Sequence, residues 1–238
     1  MTEKVVLITG ASRGLGRRLV DGFLADGWLV VGVARSPIEE WAGETDARFD
    51  RLVCDITDES MVKRLFSDIR KRHGRLDVLI NNAGVFSSDL LLSASADRFG
   101  ALLRANLVSA HVVTREAVKL MRPKGLGRVV SISSIAVAIP LTGNALYATT
   151  KVALESLMQG FAVEFRGSGV TFNSVSVSFL EDTGMVDALR PAARSIYEAR
   201  LLAPAPLKIE EILHAVRFFT SDNASSITSQ MITLGSPF

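Results

Sequence analysis

Continuous apolar runs alternate with amphipathic ones along this chain. Lys4–Thr9 carries VVLI, an unbroken apolar run that suits a strand covered on both faces. Gly10–Gly16 interrupts it with three glycines, and Arg17–Asp26 then sets Leu19, Val20, Phe23 and Leu24 on one helical stripe. Trp28–Ala34 returns to a β-rich run. The same alternation predicts strands at Arg51–Cys54, Val78–Ile80, Arg128–Ser133, Val170–Val177 and Gln230–Leu234. Between them it predicts helices at Asp58–Arg72, Asp97–Met121, Tyr147–Phe165 and Ile209–Thr220. Met61, Val62, Leu65, Phe66 and Ile69 form the apolar side of the first of these, and Leu102, Leu103, Leu107 and Val112 mark the second. Strand–helix alternation of this kind predicts an α/β fold: a doubly wound parallel sheet with helices on both faces and right-handed crossovers.

No repeat, low-complexity tract or linker divides the pattern, so residues 1–238 are expected to form a single domain. Arg35–Asp50 is polar but short, and lies between two core-like strands, which favours a surface loop. Glu181–Pro206, with Gly184, Pro191, Pro204 and Pro206, has two readings: a lid over a ligand crevice, which its place beyond a strand favours, or an ordinary irregular connection. Composition narrows the partners. Lys+Arg number 27 against 25 Asp+Glu, and no tract is dense enough in bases to suggest nucleic acid. The single cysteine, Cys54, lies in the apolar stretch RLVC and reads as a small buried hydrophobe. No apolar run approaches membrane-spanning length, and the N-terminus lacks the form of a signal peptide, so a soluble cytoplasmic protein is expected. His73, His111 and His214 show no metal-ligand spacing, and no metal site is expected.

The glycine segment carries the first chemistry. Gly10, Ala11, Ser12, Arg13, Gly14, Leu15 and Gly16 follow a strand and open a helix. Gly10 suits a tight turn, Gly14 lets a phosphate-bearing ligand approach the backbone, and Gly16 permits close helix–sheet packing beside the helix N-terminus. The spacing is GxxxGxG rather than the common GxGxxG. The second strand ends Ala34-Arg35-Ser36, without the acid that commonly holds both ribose hydroxyls of NAD. Arg35 and Arg13 instead offer guanidinium groups to a 2'-phosphate, which favours NADP (NADPH) over NAD; solvated surface arginines are the other reading. Asp55, beside Ile56 after the third strand, either accepts from an adenine amino group or caps the next turn.

With these features in place, the chain resembles the short-chain dehydrogenase/reductase family, and its ketoreductase branch in particular. The resemblance rests on TGASRGLG at Thr9–Gly16, NNAG at Asn81–Gly84, and Ser134 followed by Tyr147-Ala-Thr-Thr-Lys151. It implies a Rossmann-like fold with a seven-stranded parallel sheet, and Asn82, Ala83 and Gly84 beside a nicotinamide ribose. It implies Asn106, Ser134, Tyr147 and Lys151 as the catalytic set, with Ser134 preferred to the neighbouring Ser133. Tyr147 and Lys151, four apart on a helix, share a face. An ammonium at roughly 4 Å and an effective dielectric of about 20 favours the phenolate by up to about 4 kcal/mol. Ser134 is then expected to polarise a carbonyl, Tyr147 to exchange its proton, Lys151 to stabilise the phenolate and touch the ribose, and Asn106 to hold a water leading to solvent.

Three departures from the family pattern stand out: Val177-Ser178 where Pro-Gly is frequent, altered spacing around Thr183 (a candidate cofactor contact), and Ser229 with Leu234-Gly235-Ser236 near the end. Phe86, Leu90, Leu91, Ile135, Val137, Ile139, Leu141, Leu146 and Phe179 suggest an apolar pocket, with core packing as the alternative for part of the set. Reduction of a hydrophobic or 3-oxoacyl ketone is the expected activity. Alcohol oxidation by the same residues, and a cofactor-binding structural or regulatory role, are the alternatives. A homotetramer or homodimer through the two long helices is expected from the resemblance. Arg98, Arg104 and Arg122 are either a docking patch for an acyl-carrier protein or solvated cations.

Overall fold

The computed structural model describes residues 3–38, 46–139, 141–180, 195–196, 198–203, 206–235 and 237. Its strands are β1 (Val5–Thr9), β2 (Leu29–Ala34), β3 (Phe49–Val53), β4 (Val78–Asn81), β5 (Gly127–Ser134), β6 (Val170–Val177) and β7 (Met231–Thr233). They form one parallel sheet in the order β3-β2-β1-β4-β5-β6-β7. β1 and β4 are buried at every position, as their unbroken apolar runs require. Strand order reverses between β1 and β4, so a crevice opens outside their carboxyl ends, where doubly wound sheets bind ligands.

Helices cover both faces: α1 (Gly14–Ala25), α2 (Glu59–His73), α3 (Ala96–Leu103), α4 (Ser109–Met121), α5 (Ala145–Glu164) and α6 (Ile209–Thr220). On one face Val62, Leu65 and Ile69 of α2, Val113 and Ala117 of α4, and Leu154 and Met158 of α5 pack on Leu7, Leu79 and Val129. On the other, Leu19, Val20 and Phe23 of α1 and Ile212, Val216 and Phe219 of α6 pack on Ile8, Ile80 and Val130. Alternate residues of each strand thus serve opposite cores. Local chemistry sets the helix ends. Asp58 accepts from Ser60 N and Met61 N to start α2, which stops at left-handed Gly74. Ser95 accepts from Arg98 N to start α3.

The periodicity places most elements within a residue or two of their true bounds, and β6 and α6 at them. Asp97–Met121 differs in kind. It is α3 and α4 joined by a π-helical turn at Arg104–Val108, in which one extra residue shifts the phase of the helix. Of the expected lid, residues 181–194, 197 and 204–205 lie outside the described residues, Thr183 among them. Its flanks, Leu180 and Leu207, bridge to each other, and Leu201 within it bridges to Pro237. Among the described residues no helix is long and apolar enough to cross a membrane.

Ser229, just ahead of β7, adopts φ 60° and is the one described non-glycine residue in the left-handed region. Its N–H donates to Phe172 O at 2.7 Å, which holds the chain there. An L-residue pays roughly 1–2 kcal/mol for that conformation, part of which glycine's larger unfolded-state entropy offsets. Ser229→Gly is therefore expected to stabilise the fold by about 0.5–1 kcal/mol, read as a higher urea midpoint at unchanged slope. A lower midpoint would show that the Ser229 side chain holds this turn.

Candidate active site

The glycine turn and the Asn81–Gly84 segment are braced against each other across the strand reversal. Thr9 is buried, and its hydroxyl donates to Ile80 O at 3.3 Å while accepting from Asn82 N at 3.1 Å and Ala83 N at 3.0 Å. Asn82 Nδ2 returns a bond to Thr9 O at 2.9 Å. α1 comes so close that a Cβ on Gly16 would sit 2.1 Å from Gly10 O and 2.5 Å from Asn82 Nδ2. Gly14, by contrast, faces open space. The N-terminus of α1 thus meets the crevice with bare backbone, which fits a diphosphate. Ser12 and Leu15 flank this turn half-buried, and Arg13, its exposed residue, precedes the helix.

Arg35 is exposed directly after β2. No acidic side chain follows β2 within the described residues up to 38. Asp55 and Ile56 follow β3; Asp55 Oδ1 accepts from Thr57 N at 2.9 Å and Thr57 Oγ1 at 2.8 Å, so one of its oxygens closes a local turn. The glycine-turn residues, Arg35, Asp55, Ile56, Asn82, Ala83 and Gly84 all lie at or just beyond the carboxyl ends of β1 to β4.

Asn106, Ser134, Tyr147 and Lys151 come from the π turn, the end of β5 and the first two turns of α5. Lys151 is buried, and its Nζ donates to Ile132 O at 2.8 Å and lies 5.8 Å from the centroid of the Tyr147 ring. Tyr147 is buried as well, with Phe86 packed edge-on at 5.2 Å. Asn106 is tied at both ends of its amide: Oδ1 accepts from Val85 N at 2.8 Å, and Nδ2 donates to Val85 O and Thr150 Oγ1, each at 3.0 Å. The π turn turns this side chain across onto the segment after β4. A methyl at Gly84 would lie 3.4 Å from Asn106 Oδ1 and 3.5 Å from Lys151 Nζ, so the three surround one small space. A water held by Asn106 has the second lone pair of Oδ1 or the main-chain carbonyl to bond.

Strand alternation separates the two candidate serines. Ser133 points toward α5, and its hydroxyl bonds the Glu155 carboxylate. Ser134 Oγ, half-buried at the strand end, accepts from Ala136 N at 3.2 Å. Burial drives the Lys151 ammonium from the ordinary 10.5 down to about 8, against the pull of Glu155. Burial likewise pushes the Glu155 carboxyl up, opposed by the Ser133 hydroxyl and the Lys151 charge. The Cys54 thiol is buried and pushed up to about 11, as suits an inert core residue.

The expected apolar pocket divides. Ile135, Ile139 and Phe179 pack with Leu201 in a small cluster, with Leu141 against it. Phe86 touches Tyr147, Val137 and Leu146 are half-buried, and Leu90 and Leu91 stand exposed at 57% and 65%. Sequence reasoning passed over Thr9, Thr150 and Glu155. Glu155 had a signal, its position four residues after Lys151; the two threonines act through long-range hydrogen bonds that leave none.

The family model described as short chain dehydrogenase matches residues 4–194. The 3-oxoacyl-acyl-carrier-protein reductase FabG of Salmonella typhimurium is 32% identical over 234 residues, covering 96% of this chain and 94% of the relative. The 3-oxoacyl-acyl-carrier-protein reductase MabA of Mycobacterium avium is 30% identical, covering 97% and 88%. A crystal structure of a "putative gluconate dehydrogenase" from Agrobacterium tumefaciens superposes with a TM-score of 0.85 at 23% identity, covering 98% of this chain and 94% of that one, a likeness of fold.

The buried lysine has a measurable signature. With its proton affinity lowered from 10.5 to about 8, the folded protein binds fewer protons than the unfolded chain between those values. Stability due to this group is therefore lowest below pH 8 and recovers as pH rises toward 10.5. The recovery is roughly 3 kcal/mol. Lys151→Met lacks it, so the stability difference between native protein and variant is expected to shift toward the native protein by that order between pH 8 and 10.5. Chemical denaturation across that range measures it; a difference that stays flat means that the amine is solvated.

Proposed function

The chain belongs to the short chain dehydrogenase family and is an NAD(P)-dependent oxidoreductase acting on a carbonyl/alcohol group; we propose that it reduces a hydrophobic ketone of 3-oxoacyl or polyketide type to a secondary alcohol, with NADPH. The observation that carries the reading is Lys151, buried on the same helical face as Tyr147, with its Nζ 5.8 Å from the phenol ring and one strand end away from Ser134. The bare backbone of the Gly14–Gly16 turn and the helix N-terminus fit a dinucleotide diphosphate, and exposed Arg13 and Arg35 suit a 2'-phosphate. Asp55, Ile56, Asn82, Ala83, Gly84 and Thr183 complete the proposed cofactor contacts.

When bound, the nicotinamide supplies the hydride. The protein's own groups manage the proton and the charge. Ser134 Oγ donates to the substrate carbonyl oxygen and orients it. Tyr147 Oη gives its proton to that oxygen as negative charge develops. The Lys151 ammonium favours the phenolate left behind; one of its three donors is spent on Ile132 O, leaving two for the phenol and the ribose. Asn106, locked by Val85 and Thr150, holds the water through which Lys151 and Tyr147 regain a proton. Run backwards, the phenolate is the base for alcohol oxidation, so the same residues serve either direction.

The substrate class draws on Phe86 against the Tyr147 ring, on the Ile135–Ile139–Phe179 cluster and on the names of the two reductase relatives. Arg104 and Arg122 are exposed, while Arg98 pairs with Asp89 at 3.2 Å; docking of an acyl-carrier protein there belongs to this reading. Assembly as a homodimer or homotetramer is supported by an open groove of about 490 Å³ lined by Leu107, Val108, His111, Ala153, Leu157 and Gly160. A cytoplasmic location completes it.

Two measurements test the reading. Tyr147→Phe is expected to lower ketone-dependent NADPH oxidation by roughly 10²- to 10⁴-fold while nucleotide binding persists. Full turnover in the folded variant would remove Tyr147 from the proton transfer. Arg35→Ala is expected to weaken NADPH binding by roughly 10- to 100-fold, the value of a charged hydrogen bond, and to leave NADH binding nearly unchanged. Calorimetry reads both affinities, and equal affinity of the native protein for the two nucleotides would sink the NADPH preference.

A further inference from the structure

Helical spacing sets Glu155 one turn beyond Lys151 on the same side of α5. That side packs on β5 and β6, so the carboxylate is half-buried rather than solvated. The Ser133 hydroxyl bonds it from β5. A cavity of about 40 Å³ adjoins it, walled on the polar side by Asn173 and Ser174 of β6 and by Ser229 and Gln230 ahead of β7. Each of these neighbours is uncharged, and the charge that acts on Glu155 is Lys151. A half-buried carboxylate and a fully buried ammonium are each costly alone, and less so together.

We propose that Glu155 is a positioning residue for Lys151: anchored by the Ser133 hydroxyl and bordering the cavity between α5, β6 and β7, its carboxylate is the counter-charge that keeps the lysine an ammonium ion within the site. The cavity has room for water, which lets the carboxylate stay ionised although, among the described residues, no arginine or lysine bonds it directly. Glu155 touches neither substrate nor cofactor in this scheme. Its catalytic consequence rests on the reductase reading, because Lys151 acts on Tyr147 only if that chemistry operates. The charge pairing itself belongs to the folded chain without nucleotide.

The test is the titration of Lys151 in the nucleotide-free protein labelled with ¹³Cε-lysine, its resonance identified by its loss in Lys151→Met. The native midpoint is expected near 8. Glu155→Gln keeps the shape and the bond to Ser133 but removes the charge, and is expected to lower the midpoint by roughly one pH unit. Glu155→Asp restores most of it. Ser133→Ala, which frees the carboxylate without removing it, gives a smaller shift in the same direction and serves if Glu155→Gln fails to fold. An unchanged or raised midpoint in folded Glu155→Gln, or in Ser133→Ala if that is the variant that folds, overturns the proposal. In the active enzyme the alkaline fall of kcat/KM moves with the midpoint. A lowered midpoint in a protein that turns over no ketone sinks the reductase reading and leaves the pairing standing; an unchanged midpoint in an active enzyme does the reverse.

Discussion

An ammonium ion taken out of water is the demand around which this site is arranged. Lys151 is buried, and one carbonyl, Ile132 O, receives it. That carbonyl is available because β5 runs past its pairing with β4, which ends at Ser131, to finish at Ser134. Three consecutive residues at the end of the strand then do three things. Ile132 accepts from the lysine, Ser133 holds Glu155 behind it, and Ser134 Oγ accepts from Ala136 N at the strand end. Pleating separates the two serines, since neighbouring side chains on a strand point to opposite faces, while the Ile132 bond uses the main-chain carbonyl left open beyond β4.

The crevice has two halves, and the reversal of strand order joins them. On the β1 side, the Thr9 hydroxyl and the Asn82 amide lock the glycine turn to the segment after β4. On the β5 side, Asn106 locks the continuation of that segment at Val85, and Gly84 lies between. A single stretch, Asn82–Val85, is therefore bonded to the glycine turn at one end and to the lysine's surroundings at the other. Side-chain to main-chain hydrogen bonds hold the stretch at both ends, so the two halves share one braced segment.

Much of this was legible from periodicity and motif. Unbroken apolar runs revealed β1 and β4, and the amphipathic stripe of α6 matched its bounds at Ile209 and Thr220. The Tyr147–Lys151 spacing placed both groups on one helical face. What escaped has a common physical character. The π turn at Arg104–Val108 leaves the apolar pattern on either side intact, so nothing in residue spacing announces it. The bonds of Thr9 to Asn82, of Thr150 to Asn106 and of Ser133 to Glu155 join residues far apart in sequence. Leu90 and Leu91 matched Ile135 in hydrophobicity, yet they stand in solvent while Ile135 is buried, because hydropathy reports a preference and topology decides the partner.

The π turn also divides the labour of one long helix. An inserted residue advances the helix by about 100°. α3 can thus present its inner face to α5, while α4, continuing the same rod, presents its own to α2 and β4. Removal of a single residue between Arg104 and Val108 would leave an unbroken helix that is easier to form in isolation. It would also rotate everything before the cut against everything after it, and swing Asn106 off Val85. For anyone aligning or engineering such chains, a one-residue gap here is no neutral trimming: it exchanges a better rod for a misaimed amide.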